Sequence, residues 1–99
     1  METKVIEQAD AVEIVISGRL DTKTSAEADK LFAEVGNKFN NVTLNMEKLD
    51  YISSAGIRAI RNLYMITYRK DGNLQVINIG DNVYQVLEMA GITSILGLD

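Results

Sequence analysis

Two adjacent hydroxyls, Ser53 and Ser54, stand where an apolar strand-like run gives way to helical spacing, in Asp50-Tyr-Ile-Ser-Ser-Ala-Gly-Ile57. The start of a helix leaves backbone N–H groups unpaired and presents the positive end of the helix dipole. A serine there can cap the helix, or it can carry a phosphate that the same N–H groups stabilise. Ser54 is a plausible N-cap under any function, and the two uses are compatible. Little else in the chain offers chemistry. It has no Cys and no His, so it lacks a thiol nucleophile, a disulfide framework, the commonest general base and the commonest metal ligand. No His or Lys adjoins the serines to activate them. Gly80-Asp81-Asn82, at another helix start, lacks the Lys of a phosphate-binding loop. The residues therefore point away from an enzyme and imply no cofactor and no metal.

The serines must be positioned by short strands alternating with helices. Lys4 to Gln8 and Val12 to Ser17 are strand-like, the second alternating Val12, Ile14 and Ile16 with Glu13, Val15 and Ser17. Ala9-Asp10 makes the tight turn of a hairpin between them. After Gly18 and Arg19-Leu20-Asp21, the quartet Thr24-Ser25-Ala26-Glu27 has the form of a capping box. The helix that follows puts Ala28, Leu31, Phe32 and Val35 on one face and ends at Gly36 or Asn37. Asn41 to Met46 reads as a strand through Val42, Leu44 and Met46.

The longest helix runs from about Ser54 to Tyr68, with Ile57, Ile60, Leu63, Tyr64 and Thr67 inward and Arg58 and Arg61 off that stripe. Asp71-Gly72-Asn73 signals a turn, Leu74 to Ile79 a strand, and Gly80-Asp81 a third helix carrying Val83, Val86, Leu87 and Ala90, closed by Gly91. Ile92 to Leu98 is a last short strand or a final turn. Strand–helix–strand units require right-handed crossovers and a mainly parallel sheet, to which the opening hairpin adds an antiparallel strand. The fold class expected is α/β: two layers, with a mixed four- to five-stranded sheet covered by helices mainly on one face.

Composition bounds the rest. Ninety-nine residues with 46% hydrophobic content fit one domain, 1–99, with a single core. A formal net charge of −4 without a basic tract argues against a nucleic-acid partner. No signal peptide opens the sequence and no apolar run nears the ~18 residues of a membrane span, which reads as a cytoplasmic protein with no membrane partner.

Four segments in order match a known family. Ile16-Ser17-Gly18-Arg19-Leu20-Asp21 has the pattern apolar, x, Gly, x, Leu, Asp at a strand end. Val42-Thr43-Leu44-Asn45-Met46 followed by Leu49-Asp50-Tyr51-Ile52 matches a central strand and the loop after it. Ser53-Ser54-Ala55-Gly56-Ile57 matches Asp-Ser-Ser-Gly-Leu, and Met89-Ala90-Gly91-Ile92 a late helix ending in Gly-Leu. Over nearly its whole length the chain resembles the STAS domain proteins and, within them, the bacterial anti-sigma factor antagonists. The resemblance implies a protein whose unmodified form binds an anti-sigma factor, itself a serine kinase, and so frees a sigma factor. Phosphorylation at Ser54, with Ser53 the alternative acceptor, switches that binding off, and a phosphatase is a further candidate partner. The implied partner surface comprises Asp21, Thr22, Ser53, Ser54, Gly56 and Arg58 of a monomeric protein. The other reading is a constitutive interaction or small-ligand module, since STAS domains also occur as docking parts of transporters and sensory complexes. Two departures stand out. Ser53 occupies a place where relatives often carry Asp, and relatives commonly continue into another helix where this chain reaches Asp99, so one sheet face is expected to be barer.

Overall fold

The computed structural model describes residues 1–98. Strands β1 (Glu2–Gln8) and β2 (Ala11–Leu20) form the expected hairpin, turning through Ala9 at a φ of +49°. Helix α1 (Ser25–Lys38), β3 (Asn41–Ile52), α2 (Ser54–Arg69), β4 (Asn73–Ile77) and α3 (Asp81–Met89) follow. The sheet has four strands in the order β1-β2-β3-β4, antiparallel at the first pair and parallel at the other two. Period-2 alternation sends Val12, Ile14 and Ile16 of β2 and Val42, Leu44 and Met46 of β3 to one face, where they are buried. Register carries these rows onward, Val12 beside Val42 beside Leu74 and Ile14 beside Leu44 beside Val76. Phe32 of α1, Ile60 and Leu63 of α2, and Val83 and Leu87 of α3 complete the same core.

The opposite face is open, as the expected two-layer fold requires. Its rows hold Glu13 and Val15 beside Thr43 and Asn45, with Gln75 and Ile77 beyond, and none of these is fully buried. Polar groups there pair with one another: the Asn45 amide donates to Glu13 Oε2 (3.0 Å) and its oxygen accepts from the Asn78 amide (3.2 Å). That arrangement suits a solvated sheet surface.

Three local expectations need correction, and one open alternative is decided. The third strand does not stop at Met46 but runs on to Ile52. Its pairing with β2 slips twice, from Val15–Asn45 to Ser17–Lys48 and from Gly18–Leu49 to Arg19–Tyr51, each slip adding one residue to β3. Such bulges break the two-residue period, so the buried positions Met46, Leu49 and Ile52 fall three apart. The first helix passes through Gly36 and ends at Lys38. A Cβ at Gly36 would lie 3.0 Å from both Leu63 Cδ1 and Ile66 Cγ2, so this glycine lets α1 and α2 approach closely. The capping box sits three residues earlier than Thr24–Glu27. The Asp21 carboxylate accepts from the Lys23 and Thr24 N–H groups, and the Thr24 hydroxyl accepts from the Asp21 N–H (2.9 Å). Of the two readings of Ile92 to Leu98, a short strand or a final turn, the chain takes the turn. Gly91, at a φ of +73°, closes α3, and the Gly91 and Ile92 N–H groups return to the Glu88 and Leu87 carbonyls. Ile92 and Leu96 then fold back onto the core.

Candidate functional site

The ends of β2 and β3 leave the sheet side by side. Leu20 pairs with Ile52, and the Ser53 N–H donates to the Leu20 carbonyl at 2.9 Å. Asp21 and Ser53, each the next residue along, therefore emerge together at one end of the sheet. Helix α2 starts immediately and is pressed against both strand ends. A Cβ at Gly56 would stand 2.7 Å from the Leu20 carbonyl oxygen, 2.8 Å from Leu20 Cγ and 2.9 Å from Ile52 Cγ1. Only glycine fits that approach. Gly56 is itself buried, so it acts on the site by fixing the distance between the helix and the strands.

The two serines differ in role. Ser53 is the N-cap, in extended conformation, and its hydroxyl accepts from the Gly56 N–H at 3.3 Å. Ser54, expected as a candidate cap, is instead the first residue of the helix. It is exposed, and among the described residues its hydroxyl has no partner. The N–H groups of the first turn that Ser53 does not satisfy are left to solvent or a ligand, as helix geometry requires. No acidic residue lies in that first turn, so no side chain there offsets the dipole.

Around the serines, Thr22 is exposed and its carbonyl accepts from the Ser25 hydroxyl (3.1 Å). Arg58 is exposed one turn into α2. The Asp21 carboxylate is turned back on its own loop, bonded as described and 3.6 Å from Arg19 Nε. Partial burial pushes the Asp21 carboxyl up, but hydrogen bonds from Thr24 and Lys23 and the Arg19 charge outweigh it, and the group titrates below its ordinary range. Arg19 also lies over the Tyr51 ring, 4.1 Å from its centroid. Sequence reasoning did not select Tyr51 or Arg19 as site residues. Their pairing across β2 and β3 arises only after both bulges, which a pattern search does not register. The structure thus gathers Asp21, Thr22, Ser53, Ser54 and Arg58 at one end of the sheet, over a buried Gly56. Among the described residues no cluster of acidic side chains could hold a metal, and no helix is long and apolar enough to cross a membrane.

This four-stranded mixed sheet with its helices on one face is the fold of a known family. The STAS domain family matches residues 2–99, and the chain belongs to it. A candidate anti-sigma factor antagonist of Bordetella bronchiseptica, BtrV, is 33% identical over 75 residues, covering 72% of this chain and 65% of that protein's length. A candidate anti-sigma factor antagonist from Thermotoga maritima shares the fold with a TM-score of 0.84 at 18% identity, covering 96% of this chain and 81% of that one. The anti-sigma factor antagonist SpoIIAA in its unphosphorylated form superposes with a TM-score of 0.74 at 15% identity, covering 97% and 99% of the two chains. The Bacillus protein SpoIIAA is also known in a phosphorylated form of the same fold, TM-score 0.76 at 16% identity over 97% and 86%.

Proposed function

We propose that this protein is an anti-sigma factor antagonist that binds an anti-sigma factor serine kinase when unmodified, and that phosphorylation of Ser54 ends the association. The observation that carries this reading is the division of labour between the serines: Ser53 spends its hydroxyl on the helix cap, while Ser54 offers a free, exposed hydroxyl on the first turn. The partner surface is Asp21, Thr22, Ser53, Ser54 and Arg58, held over Gly56. The likeness to candidate antagonists, and to a relative that exists in both phosphorylated and unphosphorylated forms, supports it.

The energetics fit a switch without refolding. A phosphate adds about −1.5 to −2 charge and three strong acceptors. The helix start tolerates it, with a gain of ~0.3–1 kcal/mol at an exposed position. A partner surface closed over a small hydroxyl would instead bury a charge without compensation, at a cost of several kcal/mol. Since each ~1.4 kcal/mol is a tenfold loss of affinity, that suffices to dissociate the pair.

The test is to incubate the protein with its anti-sigma factor and ATP, then follow mass and co-purification. Wild type and Ser53→Ala should gain one phosphate, mapped to residue 54, and lose the partner. Ser54→Ala should gain none and stay bound. Modification elsewhere, or binding unchanged after complete phosphorylation, would refute the switch.

A further inference from the structure

Resting on the reading of Ser54 as phosphoacceptor, we propose that Arg58 is an internal clamp for the phosphate, so that phosphorylation also withdraws this cation from the partner surface. Ser54 and Arg58 are four residues apart on one helix, and both are exposed. Their Cβ atoms are therefore neighbours at about 5–6 Å. Helical side chains lean toward the N-terminus, so a long side chain at 58 extends over the turn that begins with Ser54. A guanidinium there can meet a phosphate through paired N–H···O bonds.

Arg58 is free for the task. Among the described residues it makes no ion pair, whereas Arg19 is committed to Asp21 and to the Tyr51 ring. Other charged groups at this end of the sheet are Lys23, Glu27, Asp50 and Asp81, all exposed and none on α2, Asp81 being the first residue of α3. Before modification Arg58 is a solvated cation facing any docked protein. Afterwards it is paired within the helix. The partner thus meets added bulk and negative charge, and it also loses a positive contact.

The clamp is tested on protein carrying phosphoserine at position 54, installed by genetic-code expansion so that no kinase is needed. Phosphorus NMR titration at low ionic strength reads the second ionisation of the phosphate, which lies near 6 without a clamp. A clamp favours the dianion. Arg58→Ala should raise that apparent pKa by about half a unit, Arg58→Lys should recover part of the difference, and Arg61→Ala, seven residues from Ser54, should leave it unchanged. Superimposable curves for wild type and Arg58→Ala, or an equal change in Arg61→Ala, would overturn the proposal. Failure of an anti-sigma kinase to modify Ser54 would defeat the switch, while this titration would still decide the clamp.

Discussion

Helices α1 and α2 both begin at the end of the sheet where β2 and β3 stop, yet their first turns are built in opposite ways. The turn leading into α1 is closed by a carboxylate: Asp21 takes the Lys23 and Thr24 N–H groups, and Thr24 returns a bond to the Asp21 N–H. Glu27 adds a further negative charge in the first turn of that helix. The start of α2 has only the neutral hydroxyl of Ser53, bonded to Gly56, and no acid in its first turn. One helix start has its dipole already answered by fixed charge. The other is left electrically open with a free serine upon it, which is the condition under which adding a phosphate costs the folded protein nothing.

The comparison depends on α2 being locked in place, and the sharpest way to break it is Gly56→Ala. The added methyl would sit within 3 Å of a backbone oxygen and two core side chains. Backbone on one side and buried branched carbons on the other leave it no simple escape. The gain in helix propensity, ~1 kcal/mol, offsets only part of the overpacking. A net loss of about 2 kcal/mol in denaturant unfolding is expected. A change under ~0.5 kcal/mol would mean that the helix can slide off the strand ends and that the site is not rigidly spaced.

How much of this was legible beforehand follows from local chemistry. The hairpin, the three helices and the buried rows of β2 and early β3 show in the sequence because strict alternation and helical spacing are single-chain signals. The late half of β3 is hidden because two bulges replace a two-residue period by a three-residue one through Met46, Leu49 and Ile52. Gly36 misleads because a glycine that permits helix–helix contact looks the same, in one dimension, as one that ends a helix. Thr24-Ser25-Ala26-Glu27 has the letters of a capping box, but Asp21 three residues upstream is the stronger acceptor and takes the role. At the site, the serine pair was legible as a helix start. Which hydroxyl does the capping was not, since that depends on where the chain leaves β3.

Ser53→Ala and Ser54→Ala separate the two roles directly. Loss of the Ser53 cap should cost about 1 kcal/mol, because the N–H of the buried Gly56 loses its side-chain acceptor. Ser54→Ala should change stability by less than ~0.5 kcal/mol, because an exposed first-turn residue with an unengaged hydroxyl contributes little. Paired urea titrations are the measurement. Equal losses for the two variants would erase the distinction between cap and acceptor on which the comparison rests.

The smallest effect expected is on the α1 side and appears with pH. The Asp21 carboxyl titrates lower in the folded chain than its ordinary value of 3.8. A group depressed on folding contributes stability above its unfolded pKa and loses it as pH falls through the folded one. The Asp21 contribution should thus be constant near neutrality and fade below about pH 4. Because the carboxylate is partly solvated and its ion pair with Arg19 is long, the amplitude should be small and further reduced by salt. Asp21→Asn keeps an acceptor for the Lys23 and Thr24 N–H groups but removes the charge. Its melting temperature should therefore fall short of wild type at pH 7, and the gap should narrow as pH drops below about 4. A constant gap across that range would show that the turn relies on the shape of the side chain rather than its charge, and the electrical contrast between the two helix starts would then rest on Glu27 alone.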